Sequence, residues 1–419
     1  MTPFLQFVLV SAIILFAAKA AGYLSTRLGQ PSVLGELLVG LLLGPSLIDL
    51  IHLHIFTDTH LGEFVYEIGE LGVLILMFLA GMELHIRDFV RNTRVSLLSG
   101  SLGVIVPVVL GAGVGLLAHM PLDSALFLGL SLGATSVSIS AQTLMELNVL
   151  RTRVGLGLLG AAVFDDILVI LFLSIFLALG DGGLTPATIL PVVLRMALFL
   201  ALAMGFGLWI LPRLSQRVVR LPISQAALSF AIVIMLFYGL AAEVVGGMAA
   251  ITGTFLAGLM FARTSEKGQI ESGLRALGYG FFIPLFFVNV GLAVDLHLIR
   301  LETIWVMLGV ILVAILGKIL GAGLGARISG YSWLESLQLG IGMISRGEVG
   351  LIVATVGLDN GWLSPQVFPA IVAMVLVTTL ITPPLLRATF VHQEKKQKVE
   401  IPEAASTPEA SVETLEPKS

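Results

Sequence analysis

The sequence predicts an all-α polytopic membrane protein of 13 transmembrane helices: two inverted six-helix repeats, a linker helix between them, and two broken crossing helices in the core. Three observations carry this expectation. Of 419 residues, 57% are hydrophobic and 12% charged, about half the charged share of a soluble domain, and the mean hydropathy is +1.02. Basic residues gather in alternate connections between apolar runs. Short strings recur between the two halves at a nearly constant offset.

A helix crossing the bilayer needs roughly 20 apolar residues, so the chain has room for about a dozen spans and little else. Apolar runs bounded by Gly, Pro and charged residues place the first five expected helices at Phe4 to Leu24, Ser32 to Leu47, Phe64 to Met82, Val95 to Ala118 and Leu122 to Leu147. The other eight are expected at Val154 to Leu179, Ala187 to Leu211, Ser224 to Ala242, Met248 to Ala262, Leu277 to Val294, Glu302 to Ala326, Trp333 to Leu358 and Ser364 to Phe390. The first run has no small-residue cleavage pattern after it and reads as a retained helix, not a signal peptide.

Alternate connections hold Arg27, then Arg87, Arg91 and Arg94, then Arg151 and Arg153, and so on to Arg387 and the terminal lysines; together they take 18 of the 23 basic residues. The intervening connections hold only Arg300. Cytoplasmic connections are rich in Lys and Arg, so the N-terminus is expected outside and the C-terminus in the cytoplasm. The membrane part covers 1–391. From His392 the composition turns to Lys, Glu, Pro, Ser and Thr, predicting a disordered cytoplasmic tail over 392–419. Zero cysteines exclude disulfides, thiol redox chemistry and thiolate metal sites. The partner this composition demands is a lipid bilayer; no nucleic acid and no cofactor are expected.

Leu110-Gly-Ala-Gly-Val-Gly115 recurs as Leu320-Gly-Ala-Gly-Leu-Gly325 at an offset of 210, and Leu128-Gly-Leu-Ser-Leu132 parallels Leu339-Gly-Ile-Gly-Met343 at 211. A weaker echo joins Gly35-x-x-Leu-x-Gly-Leu41 to Gly253-x-x-Leu-x-Gly-Leu259. Helices one to six then correspond to eight to thirteen, with the seventh as linker. Six crossings and a linker bring the second unit in from the opposite face. Inverted repeats typify alternating-access transporters, whose sites lie near the midplane among broken helices; a duplication kept only for packing is the alternative.

The charges within the helices favour transport. Asp165 and Asp166 lie about eleven residues from either end of the sixth helix, near the bilayer centre. An ionised Asp there costs at least ~2.5–3.5 kcal/mol, and two neighbouring carboxylates repel, so one readily takes a proton. A site exchanging H⁺ for another cation needs that property. A hard monovalent cation takes carboxylate, hydroxyl and carbonyl oxygens. Lys318 is the candidate ion-pair partner. Adjacent helical residues point about 100° apart, so one aspartate can pair with Lys318 while the other faces an ion route.

Two segments read as helix breaks at matching places: Gly133-Ala-Thr135-Ser136-Val-Ser138-Ile-Ser140 and Gly342-Met-Ile-Ser345-Arg346-Gly347-Glu348-Val-Gly350. Unwound backbone exposes carbonyls and half-helix dipoles that need polar partners. Thr135, Ser136 and nearby carbonyls are expected to touch the ion, with Ser138 a further candidate, whereas Arg346 and Glu348 offset the dipole ends. For the hydroxyls the plainer alternative is bonding back to the preceding turn. Asn289 suits either the ion route or helix packing. Gly155-x-Gly157-x-x-Gly160 matches a dinucleotide fingerprint as a string, but no strand precedes it, so it reads as close helix packing. No Walker A sequence is present, leaving ATP-driven pumping without support. His52, His54 and His60 share one expected outside connection.

With these residues in view, the chain resembles the monovalent cation:proton antiporter-2 family, whose Kef-type and NapA-like members share the sodium/proton exchanger fold. The resemblance spans residues 1 to about 390. It rests on Gln30-Pro-Ser-Val-Leu-Gly-Glu36 with Gly40 to Pro45, Phe78-Leu-Ala-Gly-Met-Glu83, the Asp165-Asp166 pair, Pro284-Leu-Phe-Phe287 with Gly291, and Ser345-Arg-Gly-Glu-Val-Gly-Leu351. It implies a homodimer, a scaffold of helices over 1–82 and 187–294, and a mobile core over 95–179 and 302–390. It further implies that Asp166 alternately takes H⁺ or the metal cation with Thr135 and Ser136 beside it, that Asp165 pairs with Lys318, and that exchange is electrogenic. Two departures stand out: only 28 residues, 392–419, follow the membrane part, so no nucleotide-binding regulatory domain is expected, and Asn289 occupies a position associated with Ser in relatives. The expected activity is Na⁺/H⁺ antiport in a bacterial inner membrane, not enzyme catalysis. K⁺ or Li⁺ as the cation, a cation channel, and a sodium-coupled solute symporter are the alternatives.

Overall fold

A computed structural model describes residues 1–83, 92–180, 186–293, 295, 297, 304–364 and 367–400, without the side chains of 174, 177–180, 186–189, 348, 351, 352, 355, 359 and 391–400. Among the described residues every regular element is helical, and ten helices are long and apolar enough to cross a membrane.

α1 (Pro3–Arg27) opens with the Thr2 side chain accepting from Leu5 N–H and with Pro3 in the first turn, where a missing N–H costs nothing. α2 (Ser32–Leu43) stops at Gly44, short of the expected Leu47, because the residue before Pro45 is driven out of helical geometry. α3 (Leu61–Glu83), α4 (Thr93–Leu117), α5 (Leu122–Gly133), α6 (Val137–Glu146) and α7 (Arg153–Gly180) follow. α8 runs through Pro186–Gly205, a π turn at Phe206–Ile210 and Leu211–Val218; α9 is Ala226–Ala241 with a π turn at Ala242–Gly246; α10 is Ala250–Phe261. α11 joins Lys267–Leu277 to Ile283–Leu292 through a π turn at Gly278–Phe282. α12 (Ile304–Ile328), α13 (Trp333–Gly342), α14 (Glu348–Asp359) and α15 (Phe368–Glu400) complete the chain. A reciprocal Ser332–Glu335 capping box fixes the start of α13.

Two expectations change. The helix expected from Leu277 starts at Lys267, since the added turns bury Ile270 and Leu274 while Arg275 bonds Glu271 and Glu83. The last helix continues to Glu400, so 392–400 extends it instead of forming a disordered tail; Gln393 to Lys398 are all good helix formers. Residues 401–419 lie outside the described residues.

Helices α1, α2, α3, α9, α10 and α11 pack on one another, and α4 to α7 pack with α12 to α15. The two groups meet where α2 and α3 touch α6 and where α2 touches α15, while α8 contacts both α7 and α10. Short α2 and α10 are wedged in place by paired glycines. A Cβ on Gly35 or Gly40 would lie 2.2 Å from the carbonyl oxygen of Ala21 or Val288, and one on Gly253 or Gly258 would lie 2.1 or 2.0 Å from that of Tyr238 or Phe78. Backbone cannot yield as a side-chain tip does. Gly258→Ala is therefore expected to destabilise the protein by roughly 3 kcal/mol, the upper end of overpacking costs, visible as a lower melting temperature in detergent. Gly113→Ala, whose Cβ would meet nothing within 4 Å, is the control and should melt like the parent.

Candidate functional site

The two helix breaks cross and are stitched together. Residues 134–136 separate α5 from α6, and 343–347 separate α13 from α14. Ser136 N–H donates to Ser345 O at 2.8 Å, Ser345 Oγ donates to Ser136 O at 2.6 Å, and Ser140 Oγ donates to Gly342 O at 2.5 Å. Ser136 Oγ lies 3.1 Å from Ser138 Oγ. A Cβ at Gly347 would come within 2.7 Å of Ser136 Oγ, so this close approach requires glycine. Backbone groups freed by unwinding thus find partners inside the protein, the condition for tolerating irregular chain at membrane depth.

Arg346 is fully buried and donates to the carbonyls of Met343 at 3.0 Å, Ile344 at 2.6 Å and Ala314 at 3.2 Å. Its own carbonyl accepts from Thr379 Oγ1 at 2.6 Å. The guanidinium therefore places a fixed positive charge on the carbonyl end of α13, where the helix dipole is negative. The side chain of Glu348 lies outside the described residues.

On α7, Asp165 Oδ1 accepts from Lys318 Nζ at 2.5 Å, with both side chains wholly buried. Lys318 comes from α12, and Arg346 is electrostatically coupled to the same aspartate. Next to it, Asp166 Oδ2 accepts from Thr252 Oγ1 at 3.3 Å, across to α10. Asp166 and Thr252 line a small cleft, of about 10 Å³, with Met77, Val137, Leu159 and Phe255. At this site Thr135 Oγ1, Asp165 Oδ2 and Arg346 Nε are buried without a hydrogen-bond partner among the described residues. An unpaired buried hydroxyl costs free energy, and an oxygen-seeking cation would remove that cost.

Asn289 lies elsewhere. Its amide donates to Val65 O at 2.8 Å and Tyr66 O at 3.4 Å, binding α11 to α3, so its polarity serves helix packing. Of the histidines between α2 and α3, His52 pairs with Asp49 and His60 with Glu63; the Glu63 carboxylate holds His60 above its ordinary titration range. Sequence reasoning missed Thr252. It also missed a second, partly buried polar chain, in which Glu146 accepts from Ser32 N–H at 2.6 Å and Gln142 Nε2 at 2.7 Å, while Gln142 Oε1 accepts from Tyr279 OH at 3.1 Å. Its only signal was spacing: Ser138, Gln142 and Glu146 fall four apart on α6.

A family profile described as "Sodium/hydrogen exchanger, transmembrane" matches residues 12–392. The chain belongs to the sodium/hydrogen exchanger family. It is 39% identical to the Na(+)/H(+)-K(+) antiporter GerN of Bacillus cereus over 94% of this chain and 98% of that one. It is 33% identical to the high-affinity Na(+)/H(+) antiporter NhaS3 of Synechocystis over 94% and 92% of the two chains. Among solved structures, the sodium proton antiporter MjNhaP1 of Methanocaldococcus jannaschii at pH 8 superposes with a TM-score of 0.65 at 17% identity, covering 94% of this chain and 98% of its own. This sodium/hydrogen exchanger family member is thus a transporter by family, and its helices share the MjNhaP1 fold.

Proposed function

We propose that the chain is a Na⁺/H⁺ antiporter in which Asp166 takes proton and metal cation in turn, with Thr135 and Ser136 as further oxygen ligands and Lys318 as the partner of Asp165. One observation carries the reading. At the repeat offset of 211, Thr135 in the first break corresponds to Arg346 in the second. Where the second repeat holds a fixed cation over the end of α13, the first holds a buried hydroxyl with no partner among the described residues. A mobile cation beside Thr135 and Asp166 would do for α5 what Arg346 does for α13.

The inverted-repeat reading is supported by contacts that match across the halves. A Cβ on Gly129 would lie 2.2 Å from Val108 O, and one on Gly340 2.9 Å from Ile319 O, both partners offset by 211. Gly81 presses likewise on Phe255 O at 2.2 Å and Gly291 on Leu37 O at 2.6 Å. Ten long apolar spans among the described residues, taken with the short α2 and α10 and the broken α13–α14 pair, support a count of thirteen crossings. An odd count, with the basic connections, supports an N-terminus outside and a C-terminus in the cytoplasm of a bacterial inner-membrane protein. Helices α4 to α7 and α12 to α15 form the mobile core, and the other group the scaffold of a homodimer, consistent with the few helices that join the two groups.

Because cation and proton compete for one carboxylate, acid should raise the Na⁺ concentration needed for half-maximal exchange. Below the titration of Asp166 the rise approaches about tenfold per pH unit, as proton linkage for one site requires, and saturating Na⁺ should restore the rate. Proton flux in sealed proteoliposomes, read by a pH dye at several Na⁺ concentrations, checks this. A half-saturating concentration independent of pH would remove the shared site. K⁺ is a second reading because GerN is named for K⁺ as well as Na⁺; substituting K⁺ in the same assay decides between them.

A further inference from the structure

We propose that Thr252 is a coupling residue: its hydroxyl, borne on the scaffold, binds Asp166 on the core while that carboxylate carries neither proton nor cation, and so restrains the unloaded carrier from crossing. The inference rests on the antiporter reading above and deepens it. An antiporter must move its site across the membrane when loaded and must not move it unloaded, or cation leaks without proton return. Electrostatics alone supplies little of that discrimination here. Asp165, Asp166, Lys318 and Arg346 are two acids and two bases gathered in one buried cluster, so with Asp166 ionised and unloaded these four charges cancel. The usual desolvation penalty for dragging a bare carboxylate through the membrane is largely offset inside the core itself.

A contact that recognises the ionised carboxylate from outside the core provides the missing discrimination. Thr252 meets that description. It lies in the first turn of α10, a helix of the scaffold group, and is 3% exposed; its Oγ1 reaches Asp166 Oδ2 at 3.3 Å between two groups of helices that otherwise meet through few elements. Bonds to an ionised acceptor are roughly twice as strong as those to a neutral one, so protonation weakens the tie. A cation on Oδ2 takes the same acceptor outright. At 3.3 Å the bond is also at the long end for a hydroxyl donor, suited to yielding when a ligand arrives.

The test separates loaded from unloaded movement at one fixed pH. Proteoliposomes with the parent, Thr252→Val, Thr252→Ala or Thr252→Ser are assayed for ²²Na⁺/Na⁺ exchange, which shuttles only the loaded carrier, and for net ²²Na⁺ efflux alongside proton influx. In T252V and T252A, exchange should persist while the ratio of protons to Na⁺ in net flux falls to about half the parent value or lower; T252S, which keeps the hydroxyl, should hold the parent ratio. An unchanged ratio in T252V overturns the proposal. Loss of Na⁺/Na⁺ exchange in all three variants overturns it too, since Thr252 would then belong to the loaded site. Failure of the parent to move protons with any cation would instead strike the antiporter reading itself.

Discussion

Asp166→Asn is expected to abolish cation-driven proton flux, to background and by at least 100-fold, while leaving the fold intact. Asn is nearly isosteric with Asp and keeps an oxygen for the Thr252 hydroxyl, which reaches Asp166 at 3.3 Å. What it cannot do is take up and release a proton, or offer a full negative charge to a monovalent cation, so both half-reactions fail together. The variant should fold because the paired charges are next door: Lys318 holds Asp165, not Asp166, at 2.5 Å. The measurement is proton flux in voltage-clamped proteoliposomes with Na⁺, K⁺ and Li⁺ added in turn, alongside a melting curve in detergent. Normal flux in the variant would sink the site assignment. Current without proton coupling in the parent would favour a channel built on the same carboxylates.

How far this site was legible depended on whether its chemistry was local in sequence. Two adjacent aspartates and a lone lysine in apolar helices announce themselves, because each is too costly to be incidental at that depth. Strings of hydroxyls and glycines do so for the breaks at Thr135–Ser136 and Ser345–Gly347. Thr252 gave no such signal: an isolated threonine in an apolar helix is cheap, and its meeting with Asp166 spans 86 residues. Asn289 was the reverse case. Its cost fitted either the ion route or helix packing, and the bonds to two backbone carbonyls of α3 favour packing. The start of α11 was misread because Lys267, Glu271 and Arg275 look like a connection until Glu83, 192 residues away from Arg275, is folded beside them.

Removing the lysine should damage stability more than any other single change in the site. Lys318→Ala leaves Asp165 buried, with Oδ1 stripped of its partner and Oδ2 already without one among the described residues. Breaking a buried ion pair from one side costs about 3–5 kcal/mol, chiefly because the surviving charge has no water to return to. The melting temperature in detergent should fall accordingly. Two companion measurements isolate the cause. Asp165→Asn together with Lys318→Met removes both charges and should recover much of the loss, since the desolvation cost of the pair disappears with it. The loss in Lys318→Ala should likewise shrink when Asp165→Asn is added to it, because the neutral amide leaves no buried charge behind. If the single variant melts like the parent at neutral pH, Arg346 suffices to hold Asp165 and the ion pair is not what keeps the cluster in place. Transport reads out separately: with Asp166 and the Thr135 break untouched, any exchange surviving in the double variant shows that the Asp165–Lys318 pair supports the site and does not itself bind the cation.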